Sequence, residues 1–313
     1  MDDVICLDHR FSTTKMLIQE KPILENKPTD QFDSVLFLPK SSGRKGEGGL
    51  RTKGYFKRSF ENKPLISIIT VVFNGEKHLE QTIQSVISQD YDNVEYIIID
   101  GGSTDETLEI IKKYEDQIDY WVSEKDEGIY DAMNKGISLS TGDYTGFLNA
   151  DDWYDQDTIE SIVPHINKDK PGYIFGNTNI FKNEQQIALR KADIRRYKKH
   201  SPIGHQSLFV KTYYLRKYSF ETKYRIVSDY DFIIKLIKDE IPYIQLDKAL
   251  SNFRAEGISE IQSHDKERFM LQYDHFGFPQ AVYGFILETD KPIISHFTKT
   301  LVKIKHWIEG RKK

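Results

Sequence analysis

Apolar runs of strand length alternate along this chain with stretches whose apolar residues recur every three or four positions. Leu65 to Phe73 is a continuous β-rich run closed by Asn74-Gly75, and behind it Leu79, Ile83, Val86 and Ile87 follow helical spacing. Val94 to Ile99 predicts a second buried strand, stopped by Asp100-Gly101-Gly102. Ser103-Thr104-Asp105-Glu106 then supplies the start and acidic first turn of a helix carrying Leu108, Ile111 and Tyr114. Ile118 to Val122 reads as a short strand, Tyr130 to Leu139 as a helix, and Tyr144 to Leu148 as a strand running into Asn149-Ala150-Asp151-Asp152. Strands and helices alternating at this spacing predict βαβ crossovers and an α/β fold with a mostly parallel central sheet flanked by helices. Ligands of such sheets sit at the carboxyl ends of the strands.

The pattern loosens on either side. Ile159 to Ile166 is helical, Tyr173 to Phe181 and Gln186 to Arg190 form an antiparallel pair, Asp229 to Lys238 is a short amphipathic helix, and Tyr243 to Phe253 is a further strand. Residues 1–60 hold one strand-like run, Val35 to Leu38, and then a glycine-rich basic stretch from Ser41 to Arg58. Glycine and charge together predict a solvated linker there, with a phosphate-binding or membrane-facing loop as the alternative. The expected division is an N-terminal extension over 1–60, a main domain over 61–260 and a basic helical C-terminal extension over 261–313.

Composition narrows the partners. With 313 residues, 38% hydrophobic and 29% charged, the chain suits one large or two modest domains and is too apolar for wholesale disorder. A net charge of −4 lacks the basic excess of a dedicated nucleic-acid binder. The single cysteine, Cys6, excludes an intrachain disulfide and a Cys-rich zinc site, which points to a reducing, cytoplasmic setting. No run approaches the ~20 apolar residues of a membrane span. Between Lys291 and Lys313, however, Phe297, Leu301, Ile304 and Ile308 make one helical stripe among lysines. That stripe predicts peripheral contact with an anionic membrane surface, or docking onto the chain's own domain or a second subunit.

The candidate chemistry is carboxylate chemistry. Asp100 follows one apolar strand and Asp151-Asp152 another, so both project from the same sheet edge. Adjacent carboxylates repel unless a cation offsets them, and hard oxygen ligands suit Mg²⁺ or Mn²⁺ shared with the phosphates of a substrate.

Ser67 to Trp153 resembles the nucleotide-binding half of a family-2 glycosyltransferase. The resemblance rests on "SIITVVFNGEKHLEQTIQSV", "IIIDGGSTDET" and "DEGIYDAMNKGISLSTGDYTGFLNADDW", and farther on "PIGHQSLF" and "SDYDFIIKL". It implies a GT-A-like nucleotide-diphospho-sugar transferase fold and an inverting enzyme that uses a nucleotide-sugar donor, a divalent metal, and a saccharide or lipid-linked acceptor in cell-envelope polysaccharide synthesis. By the same resemblance, Val71 and Phe73 flank the nucleotide base and Asp100 accepts a hydrogen bond from it, which favours uracil. Asp131 and Asn134 lie beneath the ribose and diphosphate. Asn149, Asp151 and Asp152 form the metal motif, with Asn149 replacing the usual first aspartate. His205 and Gln206 border the acceptor, and Asp229 is the catalytic base, with Asp231 as the competing assignment; Trp153, beside the metal motif, reads as a stacking platform for an acceptor sugar ring, or as core packing. Two rivals stay open at this point: nucleotidyl transfer to a sugar phosphate, and a non-catalytic nucleotide-sugar-binding protein.

Overall fold

The computed structural model describes residues 4–255 and 265–282. In chain order, β1 is Gly46–Gly48, β2 Ile66–Val72, α1 Leu79–Ile87, β3 Val94–Asp100 and α2 Thr107–Lys113. Then come β4 Tyr120–Ser123, α3 Ile129–Leu139 and β5 Tyr144–Phe147. Every residue of β2 and β3 is buried, as expected of parallel strands covered by helices on both faces. Their side chains alternate. Ile66, Ile68 and Val72 face α1 and a cluster with Ile83 and Val86. Ile69 and Val71 face α3 and a cluster with Met133 and Ile137.

β3 and β5 lie on opposite sides of β2, both parallel to it, and β4 follows β3 in parallel. The crevice where the strand order reverses is therefore at the carboxyl end of β2, between the ends of β3 and β5. α3 approaches β2 closely at Gly136, where a Cβ would stand 2.5 Å from Ile69 Cγ2. This contact fixes the height at which the first turn of α3 meets the crevice.

The second half extends the sheet. After α4, Thr158–Asp169, come β6, Tyr173–Lys182, and β7, Gln185–Arg190. β8, Leu208–Lys211, is followed by α5, Thr212–Tyr218, and α6, Ser228–Lys238. β9, Tyr243–Arg254, and α7, Asp265–Phe276, come last. β8 runs antiparallel between β5 and β6. β6 then carries β7 antiparallel along one edge and β9 parallel along the other. No helix among the described residues is long and apolar enough to cross a membrane, and the basic stripe of 291–313 lies outside them.

Two expectations about the N-terminal extension are corrected. Val35 to Leu38 forms no strand. It makes a backbone bond from Val35 N–H to Ser138 O and packs Phe37 edge-on against Tyr120, which is side-chain anchoring without a ladder. The stretch Ser41–Arg58 is not a loose linker either. β1 pairs antiparallel with β4, Arg51 is buried against Glu95 at 2.5 Å, and Lys57 lies inside the protein 3.7 Å from Asp119. Glycine serves close packing here: a Cβ on Gly48 would stand 2.7 Å from Trp121 Nε1. Gly48→Val should therefore destabilise the protein by about 1–3 kcal/mol through overpacking, read as a lower urea midpoint. An unchanged midpoint would restore the linker reading.

Candidate active site

The carboxyl edge of the sheet gathers most of the predicted residues. Phe73 leaves the end of β2 with 62% of its surface exposed, whereas Val71 is buried in the core. Asp100 is fully buried. Its oxygens accept from the Ser103 backbone N–H at 3.1 Å and from the hydroxyls of Ser103 and Ser123. In this arrangement Asp100 shapes the turn beside the crevice, and the surface open to a flat base is Phe73.

Asp151 and Asp152 follow β5 but face different ways. Asp152 is fully buried. Its Oδ2 accepts from Gln206 Nε2 at 2.9 Å and its Oδ1 from the Arg254 backbone N–H at 3.0 Å. Gln206, expected at the acceptor rim, is thus an internal support of Asp152. Asp151 is only partly buried, and Asn149 Oδ1 nearby is buried without a partner. Burial pushes both carboxyls above their usual range, and for Asp152 the charge of Asp151 adds to the effect. No group of three His, Cys, Asp or Glu side chains converges as a metal site among the described residues, so a divalent cation here would draw on these oxygens together with the phosphates of a substrate. Asp151 offers the accessible oxygen, the unpartnered Asn149 Oδ1 offers another, and the added positive charge offsets two carboxylates that repel.

Asp229 sits in the first turn of α6, with 18% of its side chain exposed. Its Oδ2 meets His205 Nδ1 at 3.2 Å. Its Oδ1 accepts from the Tyr130 hydroxyl at 3.1 Å and from the Tyr230 backbone N–H at 2.8 Å. A small apolar hollow walled by Phe147, Phe220 and Phe232 lies beneath it. Burial pushes the carboxyl up, but the His205 hydrogen bond and charge, the Tyr230 N–H and the Tyr130 hydroxyl outweigh it, so the group lies below its ordinary value. A partly open, ionised carboxylate at neutral pH can take a proton from a hydroxyl placed beside it. Asp231 points elsewhere, meeting His275 Nε2 of α7 at 2.7 Å and Lys235 Nζ at 2.9 Å.

Other predicted residues are spread around this centre. His205 turns one ring nitrogen to Asp229, and its Nε2 is buried without a partner. Trp153 packs against Phe181 with ring centres 4.7 Å apart, and the Arg254 guanidinium lies over it at 5.0 Å. Asn134 is consumed by the fold: its amide exchanges two 2.9 Å hydrogen bonds with the Phe220 backbone. Asp131 pairs with Lys135 at 3.3 Å.

Two residues that touch the candidate site, Tyr130 and Arg254, were not among those singled out from the sequence. Tyr130 stands in the quoted "DEGIYDAMNKG" segment, and its helical position three residues before Met133 was the available signal. Arg254, at the end of β9, is 2% exposed. It reaches the Asp151 carbonyl at 3.3 Å and Gln81 Oε1 at 2.7 Å, and pairs with Glu184. A lone arginine closing a strand of mixed polarity carries no local signal of those contacts.

Comparison with known proteins identifies the family and the fold. The sequence model described as glycosyl transferase family 2 matches residues 67–226. A PGL/p-HBAD biosynthesis glycosyltransferase of Mycobacterium bovis (strain BCG / Pasteur 1173P2) is 30% identical over 177 residues, spanning 55% of this chain and 69% of that protein. Among solved structures, S. aureus TarS in complex with UDP-GlcNAc superposes with a TM-score of 0.57 at 19% identity, covering 72% of this chain and 68% of that one. The mannosyltransferase PcManGT from Pyrobaculum calidifontis, in complex with GDP-Man and Mn²⁺, gives a TM-score of 0.51 at 19% identity over 74% and 66% of the two chains. Both structures share the fold.

Proposed function

Because this chain belongs to glycosyl transferase family 2 and is a glycosyltransferase, we propose that it moves a sugar from a UDP-sugar to a hydroxyl of a saccharide or lipid-linked saccharide, inverting the anomeric carbon. The observation that carries this reading is Asp229, ionised, partly open and held by His205 and Tyr130. The acceptor oxygen forms its bond to the anomeric carbon while the bond from that carbon to the diphosphate breaks, and the hydroxyl proton passes to Asp229. His205 and Tyr130 keep the carboxylate oriented. Asp151, with Asn149, would hold Mg²⁺ or Mn²⁺, and Asp152, fixed by Gln206 and Arg254, would hold the motif in place. Such a cation, when bound, stabilises negative charge on the departing diphosphate. Phe73 would stack on the base, and Trp153 would give the acceptor sugar an apolar face.

The two rival readings, nucleotidyl transfer and non-catalytic binding, give way to family membership. The envelope setting, the lipid-linked acceptor and a cytoplasmic, membrane-peripheral location stay part of the proposal, on the strength of the sequence motifs and the basic stripe of residues 291–313. If that stripe anchors the protein, Lys303→Glu with Lys305→Glu should lower partition onto anionic vesicles by at least about tenfold. Equal partition would count against it.

Release of UDP from UDP-sugars, with and without candidate acceptors, is the direct test of activity. Tyr130→Phe tests the hold on Asp229. Losing a donor to the carboxylate raises its pKa, so the acid limb of the pH–activity profile should move to higher pH, with turnover at neutral pH falling by up to about tenfold. An unmoved acid limb would show that the Tyr130 hydroxyl bears on the fold alone.

A further inference from the structure

Residues 190–200, reading RKADIRRYKKH, contain one carboxylate, Asp193, and Arg195 occupies it at 2.8 Å. Two of the remaining cations, Arg190 and His200, meet beside α6. Arg190 Nη2 and His200 Nδ1 both meet the carbonyl oxygen of Ser201, at 3.1 and 3.0 Å, so a guanidinium and an imidazole converge on one acceptor atom. The backbone that carries them is tied to the base helix by a 2.6 Å bond from the Tyr230 hydroxyl to Tyr197 O. Burial, together with the charges of Arg196, Arg190 and, from α7, Arg268, holds the His200 imidazole below its ordinary value, so these groups lie close enough to act on one another. Arg196 is exposed, burial lowers the Arg190 guanidinium from its ordinary value, and neither makes an ion pair with a carboxylate among the described residues. Cations held together in this way repel, and an anion set among them relieves the repulsion.

The position of the cluster points to the owner of that anion. His205 acts electrostatically on both Asp151 and Asp229, and Arg190 acts on Asp229. The segment 201–206 links the three places in order: Ser201 O receives Arg190 and His200, His205 meets Asp229 at 3.2 Å, and Gln206 donates to Asp152 at 2.9 Å. Asp229 thus stands between the metal motif and the cation cluster. In a displacement with inversion the acceptor arrives on the side away from the diphosphate. Two guanidiniums beside an imidazole match the charge and the forked geometry of a phosphate better than those of a carboxylate.

We propose that Arg190, Arg196 and His200 form a binding site for a phosphate group of the acceptor, beyond Asp229 from the donor. Assigning the phosphate to the acceptor rests on the reading of Asp229 as the base. The anion site itself does not.

The test uses the full chain saturated with UDP and Mg²⁺, so that the donor site is filled, with inorganic phosphate as the probe. The His200 imidazole proton resonance, assigned by its loss in His200→Gln, is followed by NMR through a phosphate titration and through pH. Phosphate should bind saturably and raise the His200 pKa, because the anion offsets the surrounding arginines. Arg190→Gln with Arg196→Gln should weaken phosphate binding at least tenfold, and Arg196→Gln alone, at an exposed position, severalfold. Absence of a His200 response, its loss when UDP is present, or equal affinity in the double variant would each overturn the site. Asp229→Asn separates the two readings: it should keep or strengthen phosphate binding whatever it does to turnover, because it removes a nearby negative charge.

Discussion

Asp229→Asn should lower turnover by about 10² to 10⁴ while leaving UDP affinity within a few-fold of the parent enzyme. The amide keeps the side chain's size and can still accept from the Tyr130 hydroxyl and the Tyr230 N–H, which now hold the carboxylate at 3.1 and 2.8 Å. What it loses is the proton acceptor. Donor grip is placed at the other end of the crevice, on Phe73 and Asp151, so nucleotide binding reports separately. Asp231→Asn is the matching control. Its carboxylate joins α6 to α7 through His275 and to Lys235 within the helix, so its replacement should lower the urea midpoint with little effect on turnover. A large loss with Asp231→Asn and a small one with Asp229→Asn would transfer the base to the neighbour.

Chelation has the second large effect. Treatment with EDTA should reduce UDP-sugar turnover by about a thousandfold or more, because charge on the departing diphosphate is then left without a cation. Mn²⁺ or Mg²⁺ should restore it. Asp151→Asn should weaken metal activation, read as a higher metal concentration for half-maximal rate, whereas Asp152→Asn should act mainly by loosening the contacts to Gln206 and Arg254. The pH dependence has a definite sign. Burial raises both carboxyls above their usual range, so protons compete with the cation at higher pH than for free aspartates, and metal affinity should fall as pH falls. Full activity in chelator would remove the metal from this account.

The central strands were legible in the sequence because β2, β3 and β5 are apolar runs ended by Asp, Gly or Asn, and a parallel sheet puts such ends on one edge. That logic brought Asp100 and Asp151 to the crevice. Side-chain direction was less accessible. Helical spacing says that Asp229 and Asp231 do not share a face, yet which of them meets the crevice depends on α7, whose His275 draws Asp231 away. Asn134 has the polarity of a ligand contact but is taken by the Phe220 backbone, far off in sequence. Gln206 and Arg254 reach Asp152 from two other parts of the chain, a convergence that no local pattern encodes. The N-terminal glycines misled for a physical reason: the absence of a side chain permits mobility in water and also permits β1 to lie against Trp121, and composition does not distinguish the two.

A single displacement with Asp229 as base inverts the anomeric carbon, so the configuration of the first-formed product reads it out. With Mn²⁺ and no other acceptor, the full chain is given an α-linked UDP-sugar, and the free sugar released to water is followed by proton NMR before its anomers equilibrate. The β-anomer should appear first. Initial release of the α-anomer would mean retention and would contradict it.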